Sequence, residues 1–209
     1  MEEEFSRILQ FLHIAEKLKT ELRHSWLSDG RQESVAEHTW RTALMAILLG
    51  PYLKNSTNME KVLKMVIIHD IVEAEAGDVP AFEENRKEEK IKNERKAIEN
   101  IKKMLGNNAG DEIYGLWQEY ESSQTTESKF VKALDRIEVL IQHNEADIKT
   151  WDEIEHSFNM VSSDRYCGFD KAVKLFNEMV KKDTLEKLET CGIDVEKAKS
   201  NAVRMRDEK

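Results

Sequence analysis

Helix breakers are scarce in this chain. Two prolines and eight glycines are spread over 209 residues, so few points force a helix to stop, and the dense turn punctuation of an all-β chain is missing. An all-α fold is the expectation. The length suffices for one substantial core and nothing in the sequence marks a second, so residues 1–209 read as a single domain, with a motif-bearing part at about 5–150 and further helices over 151–209.

Apolar spacing and capping signals place the helices. Phe5, Ile8, Leu9, Leu12 and the stretch from Ile14 to Leu18 predict a first helix over 3–20. The polar run 28–32 is a loop. Ser34-Val35-Ala36-Glu37 has the form of a capping box and opens a helix that runs to Leu49, where Gly50-Pro51 stops it. Thr57-Asn58-Met59-Glu60 repeats the signal and predicts a third helix to about Ala74, ended near Gly77. A charged amphipathic helix is expected over 83–103, a loop over 106–110, and a short helix over 111–120. A long helix over 126–148 carries Phe130, Leu134, Ile137 and Ile141 on one stripe, with further helices near 170–181 and 194–206.

Charge and cysteine content narrow the partners. Asp and Glu number 41 against 32 Lys and Arg, a formal net charge of -9, which opposes non-specific binding to nucleic acid or to an anionic membrane. Cys167 and Cys191 lack metal-type spacing, which fits a reducing, cytoplasmic setting. The acidic opening Met1-Glu2-Glu3-Glu4 is unlike a secretory signal, and no apolar run approaches the ~20 residues that span a bilayer.

The chemistry concentrates in the third helix, whose second half, Met65-Val66-Ile67-Ile68-His69-Asp70-Ile71-Val72, is apolar around its circumference apart from His69 and Asp70. Such a segment is buried, and a carboxylate there needs a cation or hydrogen-bond donors to offset its desolvation. Glu73 follows one helical turn later, and Gly77 is expected to swing Asp78 towards the same mouth. His38 lies in line with Val35, Thr42, Met45 and Leu49 on a mainly apolar face, and Asp135 stands one position from the core stripe of its own helix. Two imidazoles and two carboxylates form a mixed nitrogen and oxygen set suited to one divalent ion: manganese, cobalt, iron, zinc or magnesium. His24, His143 and Glu138 read as structural, Glu138 being placed one turn from Asp135 where it can support a ligand.

With His38, the His69-Asp70 pair and the distant Asp135, the chain resembles the HD-domain phosphohydrolases. It is most similar to their 5'-deoxynucleotidase branch, through Glu33-Ser34-Val35-Ala36-Glu37-His38, through His69-Asp70-Ile71-Val72-Glu73 continued to Gly77-Asp78-Val79-Pro80, and through Leu134-Asp135-Arg136. The resemblance covers roughly residues 5–150. It implies a helical bundle around one divalent metal, a homodimer, and hydrolysis of deoxynucleoside 5'-monophosphates. It also implies an Arg and a Trp ahead of the first motif His to hold phosphate and shape the sugar pocket, for which Arg23 and Trp26 stand at the matching places.

On this reading His38, His69, Asp70 and Asp135 bind the metal, Glu73 orients or deprotonates the attacking water or protonates the leaving alkoxide, and Arg23, Trp26 and Asp78 bind substrate. Two alternatives share the metal ligands: an HD phosphohydrolase acting on cyclic or polyphosphorylated nucleotides, and a metal- or nucleotide-binding protein without turnover.

Overall fold

The computed structural model describes residues 1–80, 82–83 and 86–207, and in it the Ser34 capping box is formed in both directions. The Ser34 hydroxyl accepts from the Glu37 amide (3.3 Å), and the Glu37 carboxylate accepts from the Ser34 amide (2.9 Å), satisfying two amides that a helix start leaves free. The resulting helix, α2 (Val35–Leu49), is followed by a short 3-10 turn over Gly50–Tyr52 that contains Pro51. The third helix, α3 (Met59–Ile68), is capped one residue later than the sequence signal suggests, because Asn58 rather than Thr57 accepts the Lys61 amide.

Helices dominate the described residues, as their sparse breakers require. α1 (Glu2–Ala15) ends in a 3-10 turn over Glu16–Lys19 instead of continuing as α-helix to residue 20. α4 (Glu73–Ala76) is a single turn. α5 (Lys87–Leu105) is the charged helix; residues 84 and 85, near its expected start, lie outside the described residues. α6 (Asn107–Ser122) follows after Gly106 alone, so the loop expected over 106–110 is a helix start. Gly110 is there for packing: a Cβ at that position would lie 2.4 Å from the Lys102 carbonyl oxygen of α5. α7 (Thr126–Glu145), α8 (Glu155–Phe158), α9 (Asp164–Cys167), α10 (Lys171–Thr190) and α11 (Val195–Asp207) complete the order.

Three helices form the frame of the site. α2, α3 and α7 pack on one another around Met45, Val62, Met65, Val66, Phe130, Leu134 and Ile137, all buried. Each large apolar side chain so buried stabilises the fold by roughly 1.5–3 kcal/mol. A second cluster, with Phe11, Val35, Ile98, Ile101 and Trp117, joins α1, α5 and α6, and a third, with Trp151, Met160 and Leu188, holds the C-terminal helices. No helix among the described residues is long and apolar enough to cross a membrane.

One element departs from the helical expectation. Leu22–Trp26 (β1) and Gln32–Ser34 (β2) pair as an antiparallel ribbon around a turn over 27–31, with Leu22 opposite Ser34, Trp26 opposite Gln32 and an irregular register between, so the loop expected over 28–32 ends one residue earlier. The ribbon leads straight into α2 and carries Arg23, buried, to the Asp70 carboxylate.

Candidate metal centre

Helix α3 stops at the point where its chemistry begins. His69 Nδ1 donates to the Val66 carbonyl at 2.6 Å, the carbonyl that a continuing helix would offer to the Asp70 amide. The following amides bond three residues back, Ile71 to Ile68 and Glu73 to Asp70, each at 3.0 Å. The sequence expectation of one helix through Ala74 is therefore corrected to a helix, a tight turn over 69–72, and the short α4. The turn still brings His69, Asp70 and Glu73 to one place. Gly77, at φ +77° and ψ 158°, holds a conformation that side chains disfavour, and Asp78 beyond it is anchored through its amide to Glu21 Oε1 at 3.1 Å.

The four expected ligands converge. His38 Nε2 lies 3.4 Å from Asp135 Oδ1 and 3.8 Å from Asp70 Oδ2, and His69 Nε2 lies 3.2 Å from Asp70 Oδ2. One atom each from His38, His69 and Asp135 fit within 4.8 Å of one another. The imidazole tautomers follow from their partners: a carbonyl only accepts, so His69 Nδ1 carries the proton, and His38 Nδ1 likewise faces the Glu138 carboxylate. Both Nε2 lone pairs are thus turned into the cluster.

Among the described residues, the buried side-chain polar atoms without a hydrogen-bond partner are Arg23 Nε, His24 Nε2, Glu33 Oε2, His38 Nε2, His69 Nε2, Glu73 Oε2 and Arg136 Nε. In an ordinary core each such atom costs roughly 1–3 kcal/mol. Two of them, His38 Nε2 and His69 Nε2, lie together beside the Asp70 and Asp135 carboxylates, a donor set that fits a divalent cation.

Supporting groups fix that geometry. Tyr120 donates its hydroxyl to Asp135 Oδ2 at 2.8 Å, and Arg41 donates to Glu138 Oε1 at 2.7 Å. One face of α7 presents Asp135, then Glu138, then Gln142, whose amide donates to the Trp26 carbonyl at 2.6 Å. The sequence pointed to Glu138 as a possible support, but Tyr120, Glu33 and Arg41 were not singled out; Glu33 and Tyr120 are buried while Arg41 is partly so. Replacing Glu138 with Gln is expected to weaken divalent-ion binding about 10- to 100-fold, read by calorimetric titration. Unchanged affinity would mean that His38 needs no partner to hold its ring.

The electrostatics are those of a crowded anionic centre. Burial pushes the Asp70 carboxyl up, but His69 and Arg23 outweigh it and hold it below the usual carboxylate range. Asp135 is likewise held well down, by Arg136 and His38 against its burial. Burial and Arg23 push His38 down, yet Glu138 and Asp135 draw it up to about 10. The surrounding acids therefore favour a positive charge at this imidazole cluster, and a divalent ion supplies one without the proton. Glu73 behaves oppositely: burial, then Asp70 and Asp78, push its carboxyl well above the ordinary value despite Arg23 and Lys90.

The remaining candidates divide. Arg23 joins the cluster, its Nη1 donating to Asp70 Oδ2 at 3.2 Å while its Nε lies 3.5 Å from Glu33 Oε2. Asp78 acts on the Arg23 charge ahead of Asp70 and Glu73. Trp26 stands apart, packing edge-on against the His24 ring with centroids 4.9 Å apart.

A family model described as HD domain matches residues 15–175, which spans α2, α3 and α7 with every candidate ligand named above. The chain belongs to the HD-domain family. The match runs beyond the 5–150 stretch legible in the motifs, through α9 into the start of α10. The HD-domain relatives include 5'-deoxynucleotidase HDDC2 of Homo sapiens, 33% identical over 151 residues, covering 71% of this chain and 70% of that protein. The Dictyostelium discoideum protein of the same name is 38% identical over 145 residues, covering 66% of this chain and 76% of its own length. Among solved structures, a predicted metal-dependent phosphohydrolase from Magnetospirillum magnetotacticum superposes with TM-score 0.76 at 30% identity, covering 88% of this chain and 97% of that one.

Proposed function

We propose that this chain hydrolyses deoxynucleoside 5'-monophosphates to deoxynucleoside and phosphate, with one divalent ion held by His38, His69, Asp70 and Asp135. The observation that carries this reading is the pair of buried, unpartnered imidazole Nε2 atoms facing Asp70 and Asp135. Relatives named 5'-deoxynucleotidase support the substrate class. When bound, the ion supplies a Lewis acid that neutralises phosphate charge and eases ionisation of water. Manganese, cobalt, iron, zinc and magnesium all suit the donor set.

The chain's own residues do the rest. Arg23, positive and buried against Asp70, presents a planar guanidinium to the phosphate side of the cluster. Glu73 is buried, and its Oε2 lacks a hydrogen-bond partner. It orients or deprotonates the attacking water, or protonates the leaving alkoxide, and its raised proton affinity suits the last role in particular. Asp78, fixed through its backbone by Glu21, accepts from a sugar hydroxyl. Trp26 excludes a 2'-hydroxyl by its bulk.

The same proposal includes one domain over 1–209 and a homodimer. Trp40, Leu44, Ile47 and Leu48 leave an apolar face of α2 exposed, a face of the kind that a second copy covers. The free Cys167 and Cys191 suit a cytoplasmic setting, and the charge of -9 suits a small nucleotide substrate in preference to nucleic acid or a membrane surface.

Phosphate release from a panel of deoxy- and ribonucleoside 5'-monophosphates, with each ion or with chelator, tests the reading. Ion-dependent release from the deoxy series, weaker for the ribo series, is expected. Silence across the panel would transfer the reaction to cyclic or polyphosphorylated nucleotides, or to binding without turnover.

A further inference from the structure

Beside Trp26, which the proposed function places at the sugar, lie three aromatic side chains that the hydrolytic step leaves unused. His24 packs edge-on against Trp26 (centroids 4.9 Å, planes at 85°) and against Phe82 (5.2 Å, 78°), and Phe82 meets Phe158 edge-on at 6.3 Å. Four rings from three separate stretches of chain form one cluster. None of them is fully buried, so ring surface remains open to a ligand, unlike the rings of the apolar cores.

The central ring is held in place. His24 Nε2 lies 3.4 Å from Glu155 Oε2 and 3.5 Å from Asp152 Oδ2, and the buried Glu155 is itself fixed by the Asp152 amide at 2.7 Å. These acids, with Glu155 leading, raise the proton affinity of the imidazole. With carboxylates at its edge and arenes at its sides, the imidazole is held as part of an aromatic surface against which a flat π-system can lie.

Its position relative to the metal centre follows from the chain. His24 is the residue after Arg23, which touches Asp70. Phe82 comes four residues after Asp78, within about 14 Å of extended chain, and the Asp78 charge acts on both Arg23 and His24. Along the chain the rings therefore adjoin the arginine given to the phosphate and the aspartate given to the sugar, as a base adjoins both groups in a nucleotide.

We propose that Trp26, His24 and Phe82, backed by Phe158, form a stacking platform for the nucleobase of the substrate. This rests on the reading of the chain as a nucleoside monophosphate hydrolase. Recognition by ring faces tolerates every base, because all present a π-face, and favours the larger purines.

The test compares 2'-deoxyadenosine 5'-monophosphate with 2-deoxyribose 5-phosphate, which keeps the sugar and phosphate and lacks the base. Wild-type enzyme is expected to show the lower KM for the nucleotide. Phe82→Ala is expected to narrow that KM gap about tenfold with kcat for the nucleotide nearly kept, and Phe82→Tyr to restore it. Equal losses on both substrates would make Phe82 merely structural and overturn the platform, as would an unaltered gap in Phe82→Ala or equal KM values in the wild type. Wild-type silence toward both compounds would instead mark failure of the hydrolase reading, and the platform would fall with it.

Discussion

Substituting His69 with alanine is expected to remove the bound ion and the activity together, with phosphate release falling by about a thousandfold or more. His69 supplies one of two buried nitrogen donors, and its Nε2 has the Asp70 carboxylate at 3.2 Å as nearest charged neighbour. Without the imidazole, Asp70 and Asp135 face each other with one nitrogen fewer, and a site of three donors holds a divalent ion less tightly. Metal content and phosphate release measured on the same preparation check this. A variant that keeps its ion and its rate would show that His69 is a core residue bonded to Val66 and nothing more.

Glu73→Gln is expected to separate the two quantities, keeping the ion and losing turnover by about 10²- to 10⁴-fold. The side chain is buried close to the ligands, and glutamine fills the same space without an exchangeable carboxyl proton. The same substitution should raise stability when measured in chelator. A carboxyl whose folded-state proton affinity is raised, here by burial and by Asp70 and Asp78, contributes stability that is present below its unfolded pKa and lost as pH rises through its folded value. The gain in melting temperature for Glu73→Gln should therefore be larger at pH 8 than at pH 5. Full activity in this variant would remove Glu73 from the reaction, and an equal gain at both pH values would mean that its charge is not strained.

The convergence of the candidate ligands was legible because their chemistry conflicts with their surroundings. A His-Asp pair inside Met65-Val66-Ile67-Ile68 and Ile71-Val72 has few structural explanations, and His38 on the Val35–Thr42–Met45 face is as buried as that alignment predicts. Helix starts were legible where a side chain does the capping, as at Ser34 and, one residue off, at Asn58. Other features have no local signal. The strands β1 and β2, at five and three residues, are too short for an alternating pattern to stand out. The stop of α3 at Ile68 comes from a side chain bonding its own helix at Val66, which no propensity records. Gly110 reads as a loop residue until the closeness of α5 is known, and Tyr120 reads as an ordinary aromatic until its hydroxyl is found on Asp135. Trp26 and Arg23 lie on the same strand, yet only Arg23 meets the ligands, a division that sequence spacing alone does not contain.

The face of α7 that carries Asp135, Glu138 and Gln142 sets a rule for how this chain can vary over generations. Those three positions address, in turn, the ligand cluster, the His38 ring and the Trp26 carbonyl. Each residue added to a helix rotates everything after it by roughly 100°, so a single insertion between Asp135 and Glu138 would disconnect the ligand cluster from both the His38 support on α2 and the ribbon in one event. Length changes are tolerable in the turn between Trp26 and Gln32, whereas α7 can drift only by substitution.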